Sequence, residues 1–107
     1  QIGDQELGMR ELRKAVELKP DVPEAYQELG VGLYLRRSYE EAIENMQKAI
    51  DLGNTSDITY YIIGNSYLNL EEMDCENGVP WLLKSLEKNP ESELAVDALR
   101  RCGVAPP

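Results

Sequence analysis

Glu71, Glu72, Asp74 and Glu76 crowd four carboxylates into one short stretch, and oxygen donors at that density suit a hard cation. The same residues also suit a solvated turn just ahead of a helix, where the helix dipole favours negative charge, and that is the expectation here. Cys75 lies in this stretch and Cys102 near the end of the sequence. A disulfide or a paired metal site is open to them if neighbouring helices run antiparallel, but two unpaired thiols are expected. The chain has no histidine to serve as a triad base or an imidazole ligand. It also lacks a glycine-rich phosphate loop and a Cys-x2-Cys pair. No catalytic residue, metal site or cofactor is therefore expected, and the chain reads as non-enzymatic.

The composition bounds the remaining possibilities. With 107 residues, 42% of them hydrophobic, the chain can build one core of ordinary size. Eleven basic against twenty acidic residues leave a formal charge of -9. Such a surface repels phosphate backbones and anionic lipid, so neither nucleic acid nor a membrane is expected as a partner. No apolar run approaches the ~20 residues that span a bilayer, and the start of the sequence shows no signal-peptide pattern. The sequence opens on Gln1 rather than Met, which suggests a processed product or a piece of a longer protein.

The elements read as amphipathic helices throughout. Leu7, Leu12, Ala15 and Val16 mark an opening helix that stops at Lys19-Pro20. Asp21 and Glu24, with Pro23 between them, have the spacing of a capping box. The helix that follows carries Tyr26, Leu29, Gly30 and Leu33 on one stripe and Val31, Tyr34 and Leu35 on a second, and ends near Arg36 and Arg37. Ser38 and Glu41 form the next candidate box, before a helix whose buried face is Ala42, Ile43, Met46, Ala49 and Ile50. Glu44 and Lys48 stand four apart as a solvated pair.

These segments recur. An offset of 34 carries Tyr26, Leu29, Gly30 and Leu33 onto Tyr60, Ile63, Gly64 and Tyr67, and carries Gly8, Leu12 and Ala15 onto Ala42, Met46 and Ala49. Beyond Tyr67 the offset becomes 36, relating Ala42, Met46 and Ile50 to Gly78, Leu82 and Leu86, which implies a lengthened turn over Leu70–Asn77. Pro80 places the start of the next helix at about Asn77 or Gly78. Ser92 caps a last helix that ends at Cys102-Gly103. The expected organisation is one array: residues 1–20 the second helix of a truncated repeat, 21–54 and 55–90 full repeats, 91–103 a capping helix and 104–107 a tail.

The pattern Tyr26-x2-Leu29-Gly30-x2-Leu33 followed by Ala42-x3-Met46-x2-Ala49 resembles the tetratricopeptide repeat. The resemblance covers nearly the whole chain and implies an all-α solenoid of six helices in antiparallel pairs. It departs from the family at Asn54, where proline is usual and whose replacement is expected to loosen the junction, and at Arg100, where a glycine is replaced as suits an exposed cap. Gly8, Ala42 and Gly78 are the small residues where the second helices are crossed.

The resemblance also implies a concave groove lined by first helices that binds a peptide or helix of a partner. Spacing then nominates Glu24, Gln27, Val31, Tyr34 and Leu35 in one unit, Ile58, Tyr61, Asn65, Leu68 and Asn69 in the next, and Leu94, Asp97 and Arg101 in the cap. Asn65 or Asn69 could clasp a ligand's backbone amide through donor and acceptor together. Val31, Tyr34, Ile58 and Leu68 could instead pack first helices together, with neither reading favoured for Val31 and Leu68, whereas Tyr61, Asn65 and Asn69 are expected to be exposed in the groove. The branch of the family that grips a C-terminal carboxylate uses cations on these helices, whereas Gln27, Val31, Ile58, Ile62 and Ala98 stand here. A neutral or basic protein or peptide ligand is expected instead. Trp81 suits either packing or a second contact site. Self-assembly through the apolar N-terminal edge, and service as a non-catalytic arm of a larger enzyme or secretion complex, are the alternatives.

Overall fold

The computed structural model describes residues 2–105, with the side chains of residues 5–105. Among the described residues six helices follow one another: α1 (Ile2–Leu18), α2 (Pro23–Leu35), α3 (Tyr39–Asp51), α4 (Asp57–Leu68), α5 (Cys75–Lys88) and α6 (Glu93–Arg101). The expected positions Gln1, Pro106 and Pro107 lie outside the described residues. Among the described residues no helix is long and apolar enough to cross a membrane.

Each helix packs on the next, and the core is correspondingly segmented. Met9, Leu29, Leu33 and Ala42 close the first junction; Ile43, Met46, Ile62 and Ile63 the second; Leu68, Leu82, Leu86, Ala95, Ala98 and Leu99 the third. This serial arrangement gives an elongated body of 41 × 29 × 21 Å. The helices also differ in their longer reach. α2 approaches α4 and α4 approaches α6, while among the described residues α1, α3 and α5 do not reach one another. Helices that crowd together lie on the inner side of a curved stack, so α2, α4 and α6 form the concave face.

The close approach within the α4–α5 pair depends on two glycines. A β-carbon on Gly64 would lie 3.0 Å from the Gly78 carbonyl oxygen, and one on Gly78 would lie 2.9 Å from that of Gly64. Either would force the two backbones apart.

Several helix ends differ from expectation. Neither candidate capping box forms. α2 starts from Val22, whose side chain has no acceptor to offer as a cap, and Pro23 at its first position removes one of the free N–H groups. Ser38 precedes α3 without a cap bond, and the Glu41 carboxylate is instead taken by Arg13 Nη1 of α1 at 3.2 Å. Ser56, Asp74 and Ser92 do cap, accepting from the backbone N–H of Thr59, Asn77 and Ala95. Asp74 therefore begins α5 two to three residues earlier than expected, and Pro80 lies inside the helix at an exposed position. The chain tolerates it there because the Glu76 carbonyl left without an N–H partner is on an exposed residue, open to water.

Lys48 does not pair with Glu44. Its ammonium lies 6.0 Å from the centroid of the Tyr26 ring, and Lys84 repeats the arrangement over Tyr60 at 5.9 Å and over Trp81 at 5.0 Å. Trp81 itself is half-buried and stacked on Tyr60 with centroids 5.9 Å apart, so its role is packing.

The expectation of free thiols is overturned. Cys75, the first residue of α5, and Cys102, the residue that ends α6, form a disulfide across Cα atoms 5.8 Å apart. The antiparallel run of α5 and α6 brings the start of one beside the end of the other. No cluster of metal-ligating side chains is found among the described residues. Asp74 uses its carboxylate to cap α5, and its hydrogen bonds from the Asn77 side chain and backbone hold its pKa below the ordinary value.

Candidate binding groove

The two offsets of the sequence put the nominated residues at three sets of equivalent positions on α2, α4 and α6, the helices of the concave face. Glu24, Ile58 and Leu94 occupy one row at the helix N-termini; Gln27, Tyr61 and Asp97 the middle row; Val31, Asn65 and Arg101 the third. Each row takes one residue from α2, one from α4 and one from α6.

The outer row is accessible. Glu24 is exposed, Ile58 is 41% exposed and Leu94 is 57% exposed. Two large apolar side chains held in water at adjacent positions are the part of this face with most to gain from being covered.

The third row is joined by a polar ladder. Asn65 Nδ2 donates to the Tyr34 hydroxyl at 2.6 Å, and Arg101 Nη1 donates to Asn65 Oδ1 at 3.2 Å. Three helices are thus linked through one amide that is only 8% exposed. The Tyr61 hydroxyl joins the ladder at Tyr34; burial, and then that hydrogen bond, push its pKa well above the ordinary tyrosine range, against an opposing effect of Arg101. The expectation that Asn65 offers both donor and acceptor to a ligand does not hold, since both are occupied within the protein.

Other nominated residues are distributed differently. Leu68, 2% exposed, belongs to the core under α6 and cannot line a surface. Val31 and Tyr34 are half-buried and pack against the junction of α3 and α4. Asn69 turns its amide back to the Asn65 carbonyl at 2.7 Å and lies with Arg37, Tyr39, Glu41 and Glu71 along a cleft of about 420 Å³ at the helix turns. Leu35, 74% exposed, lies at the N-terminal edge beside Gly8 and Met9 rather than in the groove. Asp97 accepts from its exposed neighbour Arg100 at 3.2 Å, and both remain in solvent.

Gln27 has a structural task. Its Oε1 accepts from Asn54 Nδ2 at 2.9 Å, and its Nε2 donates to Thr59 Oγ1 at 3.4 Å. Asn54 Oδ1 in turn accepts from the Ser56 backbone N–H at 3.2 Å and from Thr59 Oγ1 at 3.1 Å. Asn54 therefore fastens the α3–α4 junction by hydrogen bonds where a proline would have stiffened it by ring closure, correcting the expectation of a looser joint. The clue in the sequence is Asn54-x-Ser56, whose side chains are those that hydrogen-bond their own backbone in turns.

No protein-family model matches the chain, and no curated protein matches it. Among solved structures the chain is similar to the crystal structure of YrrB, described as a TPR protein with an unusual peptide-binding site. The TM-score is 0.81 at 24% sequence identity, over 94% of this chain and 51% of that one. The chain thus spans about half the length of the structure it resembles. Six helices in sequential antiparallel packing, a 34-residue offset and this superposition agree: the chain has the fold of the tetratricopeptide repeat proteins, an all-α solenoid.

Proposed function

We propose that this chain is a non-catalytic interaction module that binds a peptide segment of a partner protein along the face formed by α2, α4 and α6. The observation that carries the reading is the pair Ile58 and Leu94, apolar and exposed in one row, beside a ladder from Tyr34 through Asn65 to Arg101 that holds the three helices in fixed relation. A face with its polar groups already satisfied loses little on binding, because few side chains must be ordered. The description of YrrB as a peptide-binding protein of the same fold supports the assignment of ligand class. The net charge of -9, with Glu24, Glu28 and Asp97 exposed on or beside the face, favours a neutral or basic peptide over an acidic one.

The test is a panel of fluorescent peptides, basic, neutral and acidic, titrated against the full chain and against a variant carrying Ile58→Asp and Leu94→Asp. Both positions are already in solvent, so the variant should keep its helical circular dichroism. Saturable binding of basic or neutral peptides, weakened about tenfold or more in the variant, is expected. Equal binding by the variant, or preference for acidic peptides, would refute the groove assignment. Asn65→Ala is a poor probe of binding, because it removes the ladder and would disturb fold and ligand contact together.

A further inference from the structure

One end of the disulfide adjoins the polar ladder of the groove. Cys102 immediately follows Arg101, whose Nη1 donates to Asn65 Oδ1 at 3.2 Å, and α6 also carries Leu94 and Asp97. Cys102 is where α6 stops, and the last turn of a helix is the part that frays most readily. Arg101 is the final residue of that turn and is itself exposed, so its hold on Asn65 depends on the turn staying closed.

The rest of the α5–α6 pair is held by other means. α5 starts from Asp74, whose carboxylate accepts from the Asn77 backbone N–H at 3.0 Å. α6 starts from the Ser92 cap, and Ala95, Ala98 and Leu99 seat it against Leu68, Leu82 and Leu86. None of these contacts passes through a sulfur. What the disulfide adds is a tether from the end of α6 to the first turn of α5, with Cα atoms 5.8 Å apart. Both cysteines are only half-buried, so a thiol can reach the bond.

We propose that this disulfide is a redox control on the peptide-binding face, a regulation that rests on the groove reading above. Reduction by a dithiol releases the last turn of α6, withdraws Arg101 from Asn65 and lowers the affinity of the face for its peptide. In the chemical step one thiolate of the dithiol attacks a protein sulfur, the Cys75–Cys102 bond breaks and a mixed disulfide forms. The second thiolate of the dithiol then resolves it. Two electrons pass to the protein, two protons end on Cys75 and Cys102, and the dithiol leaves as its own disulfide. The ladder gives the sign of the effect. With the bond closed, Tyr34 and Arg101 hold Asn65 from two other helices before a ligand arrives. With it open, Asn65 Oδ1 has lost its donor and Arg101 is an unanchored cation. Ordering both again costs binding energy, and the freed guanidinium repels a basic peptide.

The tightest binder among the basic and neutral fluorescent peptides serves as the probe, titrated against the full chain oxidised and after treatment with dithiothreitol. Below the melting transition, reduction should weaken binding roughly threefold to tenfold while helical circular dichroism is kept. Exchange of the Asn65 side-chain amide protons, followed by NMR, should quicken in parallel, and reoxidation should restore both. Arg101→Ala in the oxidised chain should weaken binding to a similar extent, and reducing that variant should then add little. Unchanged affinity on reduction, an equal further loss when the Arg101→Ala chain is reduced, or collapse of the helical signal would overturn the proposal. Failure of the groove reading looks different: no peptide binds even the oxidised chain, and the redox control falls with it. Binding that is indifferent to the dithiol refutes the redox control alone.

Discussion

Tyr61 shows how one hydroxyl reports on the groove. Its pKa is raised by burial and by the hydrogen bond to Tyr34, so the folded protein favours the neutral phenol more strongly than the unfolded chain does. The resulting stability is fully present below the ordinary value of 10.0 and is lost as pH rises toward and through the raised folded value. Urea midpoints at roughly pH 8 and pH 11 should therefore fall with pH, and Tyr61→Phe should flatten that dependence. An unchanged slope in the variant would remove Tyr61 from the account.

At the scale of elements, the ends of α2, α3 and α6 follow one rule with one exception. α2, α3 and α6 each end with the N–H two residues beyond the cap returning to a carbonyl of the last turn: Ser38 to Leu33 at 2.8 Å, Asn54 to Ala49 at 2.9 Å, Val104 to Leu99 at 3.0 Å. The residue just past the cap takes positive φ in every case. It is Gly53 after α3 and Gly103 after α6, but Arg37, at φ 65°, after α2. A side chain in the left-handed region is strained by about 1 kcal/mol, so Arg37→Gly should raise stability by roughly 0.5–1 kcal/mol despite the added freedom of the unfolded chain. Chemical denaturation of the two proteins checks this, and a less stable variant would mean that Arg37 holds a contact that outweighs its strain.

At the scale of the molecule, a disulfide locks the α5–α6 pair. The disulfide closes a separation of 27 residues, spanning α5 and α6, and restricts the unfolded chain by about 3–4 kcal/mol in the loop-entropy picture. It also keeps α6, and with it Arg101, against Asn65. Reduction, or Cys102→Ser, should lower the Tm by on the order of 10–20 °C. The loss should begin at α6, so amide hydrogen exchange should speed up first in Glu93–Arg101 and only later in α2 and α3. Uniform acceleration along the chain would show that the solenoid unfolds as a single unit.

Much of this was legible because a solenoid is local in sequence. Each helix packs mainly on its neighbours, so apolar spacing of three and four together with an offset of 34 was enough to specify six helices, their order and core residues such as Leu29, Leu33, Met46, Ile63 and Leu82, although Met9 and Ala95 went unassigned and Ile62, Leu68 and Ala98 were read as surface positions. The same offsets put Glu24, Ile58 and Leu94 at equivalent positions of α2, α4 and α6. What the spacing did not contain was the competition for polar groups. Glu41 had the spacing of a capping residue, but Arg13, 28 positions away, took its carboxylate. Asn65 had the type and position of a ligand clasp, but Tyr34 and Arg101 occupied it from two other helices. Cys75 and Cys102 were separated in sequence by a helix pair whose turn brought them together. Periodicity determines which face of a helix is apolar; only the folded arrangement decides which of several polar partners is near enough to win, because hydrogen bonds and disulfides form over a few ångströms and at fixed angles.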